Sequence, residues 1–266
     1  MTDSHCHLGS YKFDPKEIPT IIANAKELGI TRMITLATGE DDLEKNLKIA
    51  QNHPEIYTCL GIHPCDVHET RDDFETLLTP LLNEPKVAAV GETGLDYFHP
   101  APEGWTEDSY HSRQRDFLRR HFQLARKHNL NLVMHTRDQS GTASFDDALA
   151  IYQEFHQDVR AVFHCFPSEM AQAQKVINLG GLISFTGIVT FKNAPIVQDT
   201  ATTCPAGSFM IETDSPYLSP VPHRGKRCEP RFTKYTAEKI AKLHKMTFEE
   251  LEKETENTVC SFFNIY

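Results

Sequence analysis

Short apolar runs alternate with longer amphipathic stretches along the whole chain. Apolar runs of this length are typical of buried strands, and the stretches between them carry apolar residues on one helical stripe. After a first strand close to Met1, strands are predicted at residues 32–36, 57–62, 87–90, 131–134, 159–163, 182–185 and 208–211. This regular alternation indicates βα units around a parallel sheet.

Local signals mark several helix ends. Residues 14–17 read Asp-Pro-Lys-Glu, which combines an N-cap, a proline at the first helical position and a capping-box acid. The helix that follows should stop at Gly29. Ser168 is expected to cap another helix, and Thr247 with Glu250 forms a capping box before the last one.

The number of units predicts the architecture. Eight strands with helices between them, in a chain of 266 residues, are typical of a TIM barrel. No linker rich in Gly, Pro or Ser interrupts the pattern. We therefore expect an α/β fold, a distorted (β/α)8 TIM barrel that forms one domain over residues 1–266, with the active site at the C-terminal ends of the strands.

Side chains that bind metals or move protons fall at these strand ends. In an extended strand, His5 and His7 point the same way and would form half of a metal site. The further candidates, in chain order, are His63, Glu92, His135, His164 and Asp214. Barrel closure should place Asp214 beside His5 and His7, opposite the ligands on the fourth to sixth strands. We predict a centre for two divalent cations, bound by His5, His7, Glu92, His135, His164 and Asp214. The imidazole and carboxylate donors suit Mg²⁺, Mn²⁺ or Zn²⁺.

Such a centre predicts hydrolytic chemistry. Two cations lower the pKa of a bound water and stabilise charge at a phosphoryl or carbonyl group. Asp214 is the candidate to orient that water and take its proton. His63 is interpreted as a non-ligand that donates a hydrogen bond to the substrate, so Asp214, Glu92 and His63 are the predicted catalytic residues.

Features near the strand ends give a hypothesis about the substrate. Residues 223–227 read His-Arg-Gly-Lys-Arg, so Arg224, Lys226 and Arg227 are predicted to contact phosphate, together with Arg137. A charged loop that only meets solvent is an equally good interpretation. Aromatic residues that could stack on a base are Phe166, Trp105 and Tyr217. The arginines of the helix predicted at 110–128 are interpreted as a solvated face.

Composition restricts the partners. The formal net charge of −10 argues against binding of nucleic acid by overall charge, so DNA would be held locally. Seven cysteines without a CxxC pair are typical of reduced thiols in the cytoplasm, and Cys6 and Cys165 are interpreted as packing residues. The polar start lacks a secretory apolar region, and no apolar run is long enough to span a membrane. We expect a cytoplasmic monomer.

Eight short motifs carry a resemblance to a known family. In order they are DSHCHL (3–8), GIHP (61–64), GETGLDY (91–97), HTR (135–137), HCF (164–166), TFKNA (190–194), ETDSPYL (212–218) and RGKRCEP (224–230). Together they resemble the TatD family of metal-dependent deoxyribonucleases. The resemblance implies a DNase that uses Mg²⁺, acts often as an exonuclease, and bridges its cations with Glu92. Only Met1 and Thr2 precede Asp3, so the first strand is expected to be short or frayed at its end.

Two other functions stay open from the sequence. A metal-dependent C–N or ester hydrolase would act on a small substrate such as an amide or a D-aminoacyl ester. Many such enzymes bridge their metals with a carboxylated lysine, and Glu92 at the end of the fourth strand counts against that subtype. A metal-binding or scaffold protein without activity is the third hypothesis.

Overall fold

Eight parallel strands form a nearly closed barrel in the order β1 to β8. The computed structural model describes residues 1–266. The strands are β1 (Thr2–Cys6), β2 (Arg32–Leu36), β3 (Ile56–Leu60), β4 (Val87–Tyr97), β5 (Asn131–Asp138), β6 (Ala161–Phe163), β7 (Leu182–Phe185) and β8 (Phe209–Ile211). The helices are α1 (Ile18–Glu27), α2 (Leu43–Asn52), α3 (Glu75–Leu81), α4 (Glu107–His128), α5 (Ala143–Phe155), α6 (Met170–Asn178), α7 (Pro195–Thr203), α8 (Thr233–His244) and α9 (Phe248–Phe263). The predicted (β/α)8 TIM barrel is confirmed.

The barrel closes between β1 and the segment that follows β8. The backbone amide of Asp214 donates to the carbonyl of His5 (2.9 Å). The buried Asp3 carboxylate accepts from the hydroxyl of Thr213 (2.6 Å) and from its amide (2.9 Å). Every residue of β1 is buried. The expected fraying of the first strand is therefore wrong, because the strand is bound to β2 on one side and to residues 213–215 on the other.

Strands β4 and β5 run further than the sequence predicts. The two strands pair from Ala89 opposite Asn131 to Tyr97 opposite Asp138. Gly91 and Gly94 have φ of +145° and +149°, a region that favours glycine. A Cβ at Gly91 would lie 2.7 Å from the carbonyl oxygen of Val133, and one at Gly94 would overlap the backbone of His135. The glycines thus let β4 lie close against β5.

Arginines of α4 join the barrel to the loop before α3. Arg113 donates to the carbonyls of Val67 (2.6 Å) and Thr70 (2.7 Å), and Arg120 binds the Glu75 carboxylate. The prediction that this face is merely solvated is wrong for both arginines. Amphipathic spacing identifies the apolar face, whereas the partners of the polar face come from a distant segment.

Helix starts follow the predicted signals at two of three positions. Asp14 and Thr247 both form capping boxes, with Glu17 and Glu250. Ser168 does not cap, because α6 begins at Met170 after Glu169. The Ser168 carbonyl instead accepts a hydrogen bond from Thr200 of α7 (2.9 Å), which holds the residue outside the helix.

Helix α9 covers the N-terminal end of the barrel. Val259, Phe262 and Phe263 are buried in the same cluster as interior strand residues such as Ile34 and Met210. With this end filled by apolar side chains, the C-terminal ends of the strands form the open face. No helix in the chain has the length and apolar character required to cross a membrane.

Candidate metal centre

The first pair of imidazoles comes from β1 and the residue just after it. Strand alternation turns His5 and His7 to the same side, with their Nε2 atoms 3.2 Å apart. One oxygen of Glu92, Oε2, lies 3.4 Å from each Nε2 atom. Asp214 Oδ1 lies 3.2 Å from His7 Nε2 and 3.8 Å from His5 Nε2. Residues from β1, β4 and the end of β8 thus meet at one point.

The second pair comes from the ends of β5 and β6. His135 Nδ1 and His164 Nε2 are 3.2 Å apart. The other oxygen of Glu92, Oε1, lies 3.1 Å from His135 Nδ1 and 2.8 Å from His164 Nε2. Glu92 therefore presents one oxygen to each pair of imidazoles, as a bridging carboxylate would. The structure brings together all six residues that the sequence predicts as ligands.

The charges at this centre fit cations. Glu92 is buried, and its charged or ionisable partners are histidines, with no lysine or arginine bound to it. Burial raises the pKa of Glu92, but the surrounding imidazoles outweigh it and lower the pKa well below its usual range. Burial alone would lower the pKa of His7, but Asp214 and Glu92 outweigh burial and raise this pKa to about 9. The carboxylates of Glu92 and Asp214 thus favour positive charge at this point.

Two further acids lie beside the imidazoles that are predicted as ligands. His135 Nε2 lies 3.1 Å from Asp96 Oδ2, on the side of the ring opposite Glu92. Glu212 Oε1 lies 3.4 Å from His164 Nδ1 and accepts from the backbone amide of Cys165 (2.8 Å). Both acids are buried. Carboxylates in this position fix the orientation and basicity of metal-binding histidines, and neither acid is among the residues predicted from the sequence.

Two features of the sequence point to these acids. Asp96 lies in the motif after Gly94, beyond the point where the fourth strand was predicted to end. Glu212 is two residues from Asp214, at the end of β8. A longer β4 would have placed Asp96 at the same rim as the ligands.

His63 is held in one tautomer. It caps the short 3₁₀ turn Pro64–Asp66, and its Nδ1 accepts the backbone amide of Cys65 (3.1 Å). In the neutral ring the proton is then on Nε2, which faces Glu92 Oε1 at 3.7 Å. Burial and the nearby His135 lower the pKa of His63 to about 3, so the ring is neutral.

The side chains predicted to contact phosphate differ in whether they already have a partner in the protein. The guanidinium of Arg137 lies 3.9 Å from the ring centre of Phe98, and that of Arg224 lies 3.6 Å from the ring of Phe191. The Lys226 side chain is exposed. Arg227 is already paired, with its guanidinium 2.8 Å from Glu17 and in contact with the Lys12 carbonyl.

The three predicted stacking residues lie in different surroundings. Tyr217 is exposed at the rim, with its ring centre 6.4 Å from that of His7 and 4.1 Å from Lys12 Nζ. Phe166 is fully buried and cannot receive a base, so that prediction is wrong. Trp105 packs against Arg113 of α4, 5.6 Å from ring centre to guanidinium.

Cys6 and Cys165 stay outside the centre. Cys6 is fully buried, and its thiol donates to the carbonyl of Ile34 (3.2 Å). Cys165 Sγ lies 3.4 Å from the hydroxyl of Thr186. Both pack against neighbouring strands or loops, as the strand alternation predicts for Cys6.

Comparison with known proteins agrees with this picture. The model of the TatD-related DNase family matches residues 2–264. The chain is 34% identical over 269 residues to the metal-dependent hydrolase YcfH of Escherichia coli strain K12, covering 100% of this chain and 96% of the relative. It is 32% identical to the metal-dependent hydrolase YabD of Bacillus subtilis strain 168, with 100% and 99% coverage. Among solved structures, the TatD homolog YjjV of E. coli K12 superposes with a TM-score of 0.89 at 24% identity, covering 100% of this chain and 98% of that one.

Proposed function

The chain belongs to the family of TatD-related DNases and is a metal-dependent hydrolase, and from that premise we propose that it hydrolyses phosphodiester bonds of DNA, acting as an exonuclease on single strands or ends. The observation that carries the proposal is the position of Glu92 between two pairs of imidazoles, one at each carboxylate oxygen. Two divalent cations, with Mg²⁺ expected first, suit such a donor set and the charge that phosphoryl transfer develops.

The protein's own groups divide the remaining work. Divalent cations, when bound, lower the pKa of water and stabilise negative charge at the phosphoryl group. Asp214 orients the attacking water and takes its proton, because its carboxylate sits at the centre and remains partly accessible from the open face. His63 presents its Nε2–H as a neutral donor to a phosphoryl or leaving-group oxygen.

Local groups at the rim would hold the DNA. Tyr217 offers an exposed ring for a base, beside Lys12. Arg137, Arg224 and Lys226 are exposed and reach toward solvent, whereas Arg227 is neutralised by Glu17. Since the net charge is −10, long duplexes without cations should bind weakly, and single strands or ends should be preferred.

The test is hydrolysis of labelled DNA by the purified protein. Single strands, duplexes and duplexes with overhangs are compared, first with chelator and then with Mg²⁺, Mn²⁺ or Zn²⁺ restored. His135→Ala and Asp214→Ala are the site variants. His156→Ala and Asp199→Ala, which change the same residue types in or after outer helices, are the matched controls.

We expect chelator to abolish cleavage and cations to restore it, with both site variants losing at least about 100-fold in kcat and both controls unchanged. Cleavage that survives chelation, or that survives His135→Ala, would exclude the proposed site. A parallel panel of amides, lactones and D-aminoacyl esters covers the alternative substrate class. Turnover of that panel without cleavage of any DNA would replace the nuclease proposal with small-molecule hydrolysis.

A further inference from the structure

A second cluster of ligand-type side chains lies beside the centre, on the same open face of the barrel. Cys65, Asp96 and His99 each offer one atom, and these atoms all lie within 4.8 Å of one another. Cys65 Sγ is 3.6 Å from His99 Nδ1, and His99 Nδ1 is 3.1 Å from each oxygen of Asp96. None of the three is a predicted ligand of the two-cation centre.

These separations correspond to those around a tetrahedral zinc ion. With a Zn–S bond of about 2.3 Å and a Zn–N bond of about 2.0–2.1 Å, tetrahedral ligands place S and N about 3.6 Å apart. The same geometry places N and a carboxylate O roughly 3.3 Å apart. The observed distances of 3.6 Å and 3.1 Å are close to both values.

We propose that Cys65, Asp96 and His99 form an additional metal site, selective for Zn²⁺ or a similar thiophilic cation. A thiolate, an imidazole and a carboxylate suit Zn²⁺, whereas Mg²⁺ prefers six oxygen ligands in an octahedron. The three residues leave one tetrahedral position, which a water fills on the side of the half-exposed His99.

The surrounding structure holds two of the three ligands in place. The Cys65 carbonyl accepts from the Tyr110 hydroxyl (3.1 Å) and from His68 Nδ1 (2.9 Å). Asp96 is buried at the end of β4, and its Oδ1 accepts the backbone amide of His99 (2.9 Å). Only the His99 ring has to lose much freedom on binding, which keeps the cost of ordering small.

The local charge favours a cation here. The carboxylates of Asp96 and Asp66 both act on the Cys65 thiol, and Asp96 is buried. On binding, the S–H bond breaks, a sulfur–metal bond forms and the proton passes to solvent, with no change of oxidation state. A divalent cation thus replaces a proton beside the buried carboxylate.

The proposed site shares a residue with the two-cation centre. Asp96 Oδ2 is 3.1 Å from His135 Nε2, while its Oδ1 belongs to the Cys65–His99 side. A cation at the additional site would therefore bind Asp96, the same carboxylate that contacts His135 of the two-cation centre. The site itself does not depend on which substrate the centre hydrolyses.

Cobalt spectroscopy on the full-length protein tests the proposal. Co²⁺ substitutes for Zn²⁺, and a bound thiolate gives a sulfur-to-cobalt charge-transfer band in the near ultraviolet. Wild type, Cys65→Ser and His99→Asn are titrated after removal of all metal. Cys260→Ser is the matched control, because Cys260 is also partly exposed and lies in α9 at the opposite end of the barrel.

We expect the band in wild type and in Cys260→Ser, its loss in Cys65→Ser, and at least about tenfold weaker cobalt binding in His99→Asn. Competition with a chelating indicator should show one Zn²⁺ fewer per chain in Cys65→Ser than in wild type. Circular dichroism checks that each variant is folded, and the exposed His99 provides the test if Cys65→Ser is not. Absence of the band in wild type, or a band and stoichiometry that Cys65→Ser leaves unchanged, would overturn the proposal.

Discussion

At the scale of single residues, two of the four imidazoles predicted as ligands have a hydrogen-bond partner for their second nitrogen. His7 Nδ1 donates to the carbonyl of Leu36 (3.2 Å) and His135 Nε2 is bound by Asp96, whereas His164 Nδ1 lies 3.4 Å from Glu212 without a hydrogen bond. A donor hydrogen bond on one nitrogen leaves the lone pair of the other free for a cation. The orientation of the ligands therefore depends on residues that would not touch the cation.

Replacing Glu212 by glutamine isolates its charge. The glutamine oxygen can still accept the Cys165 amide, so the loop should keep its shape. We expect cation affinity to fall about 10- to 100-fold, with an unfolding midpoint of the metal-free protein close to wild type. Competition with a chelating indicator measures the affinity. An unchanged affinity would show that the carboxylate at 3.4 Å from His164 has no orienting role.

His63 should act on the substrate and not on the cations. Loss of a donor to a charged oxygen costs about 1.5–3 kcal/mol, so His63→Ala should lower kcat about 10- to 100-fold with an unchanged cation content. His63→Gln, whose amide NH₂ can take the place of Nε2–H, should recover part of the rate. Metal analysis of both variants decides the role, because His63 also lies within ligand distance of Glu92 and His135. A loss of bound cation in His63→Ala would make it a ligand.

The sequence predicts the six residues that meet at the candidate metal centre but not the acids beside them, for a physical reason. Glu92, His135 and His164 follow apolar runs, and the topology of a barrel brings the ends of such runs together. The positions of Asp96 beside His135 and of Glu212 beside His164 depend on the length of β4 and on the turn after β8. Charge and spacing alone do not distinguish them from other acids of a loop.

At the scale of elements, the contact between β4 and β5 depends on glycine. Gly94→Ala should destabilise the protein by more than about 4 kcal/mol or prevent folding, because its Cβ would overlap the His135 backbone. Gly207→Ala is the control: its φ is +77°, but nothing lies within 4 Å of the added Cβ. That control should cost only about 1–2 kcal/mol. Urea unfolding measures both, and equal losses would show that conformation and not contact limits position 94.

Helix α4 holds a buried histidine that links it to the end of β3. His121 Nε2 accepts the backbone amide of Ile62 (3.1 Å), and Nδ1 donates to the Phe117 carbonyl (2.7 Å). The Phe74 ring stacks on it at 4.6 Å. Burial lowers the pKa of His121 from 6.5 to about 4. The folded protein therefore keeps this ring neutral where the unfolded chain takes up a proton.

This difference predicts a loss of stability in mild acid. Between about pH 6.5 and about pH 4, the unfolded state binds one proton more at this position, so the free energy of unfolding falls as the pH falls. At about 1.4 kcal/mol per pKa unit, the contribution is about 3 kcal/mol.

His121→Gln serves as the reference, since its amide oxygen can still accept the Ile62 amide. Urea unfolding of both proteins with chelator present should show that the variant loses about 3 kcal/mol less over this pH range. Parallel curves for the two proteins would mean that His121 does not contribute to the acid sensitivity.

Helix α4 also shows what a hydrophobic pattern in the sequence does not specify. Apolar spacing predicts α4 well, and its observed range Glu107–His128 extends the predicted 110–128 by a few residues at the start. The partners of Arg113 and Arg120 come from residues 67–75. Nothing in a helical period specifies which carbonyls a long arginine side chain will meet.

At the scale of the whole molecule, the metal centre is divided between two halves of the barrel. Strands β1 to β4 supply His5, His7 and Glu92, and strands β5 to β8 supply His135, His164 and Asp214. Neither half holds a complete set of ligands. Cations at the centre would therefore join the halves, and at 100 times its Kd each cation would add about 2.7 kcal/mol to the stability of the closed barrel.

The same division predicts that a bound cation would also promote assembly of the barrel. A cut in the exposed loop at Gly104, between β4 and α4, would give two fragments that each carry three of the six ligands. Cations should then promote their reassociation, and the affinity of one fragment for the other should rise with cation concentration. Glu92 directs one oxygen toward each pair of imidazoles. The free energy of separating the two fragments should therefore depend on the cation concentration.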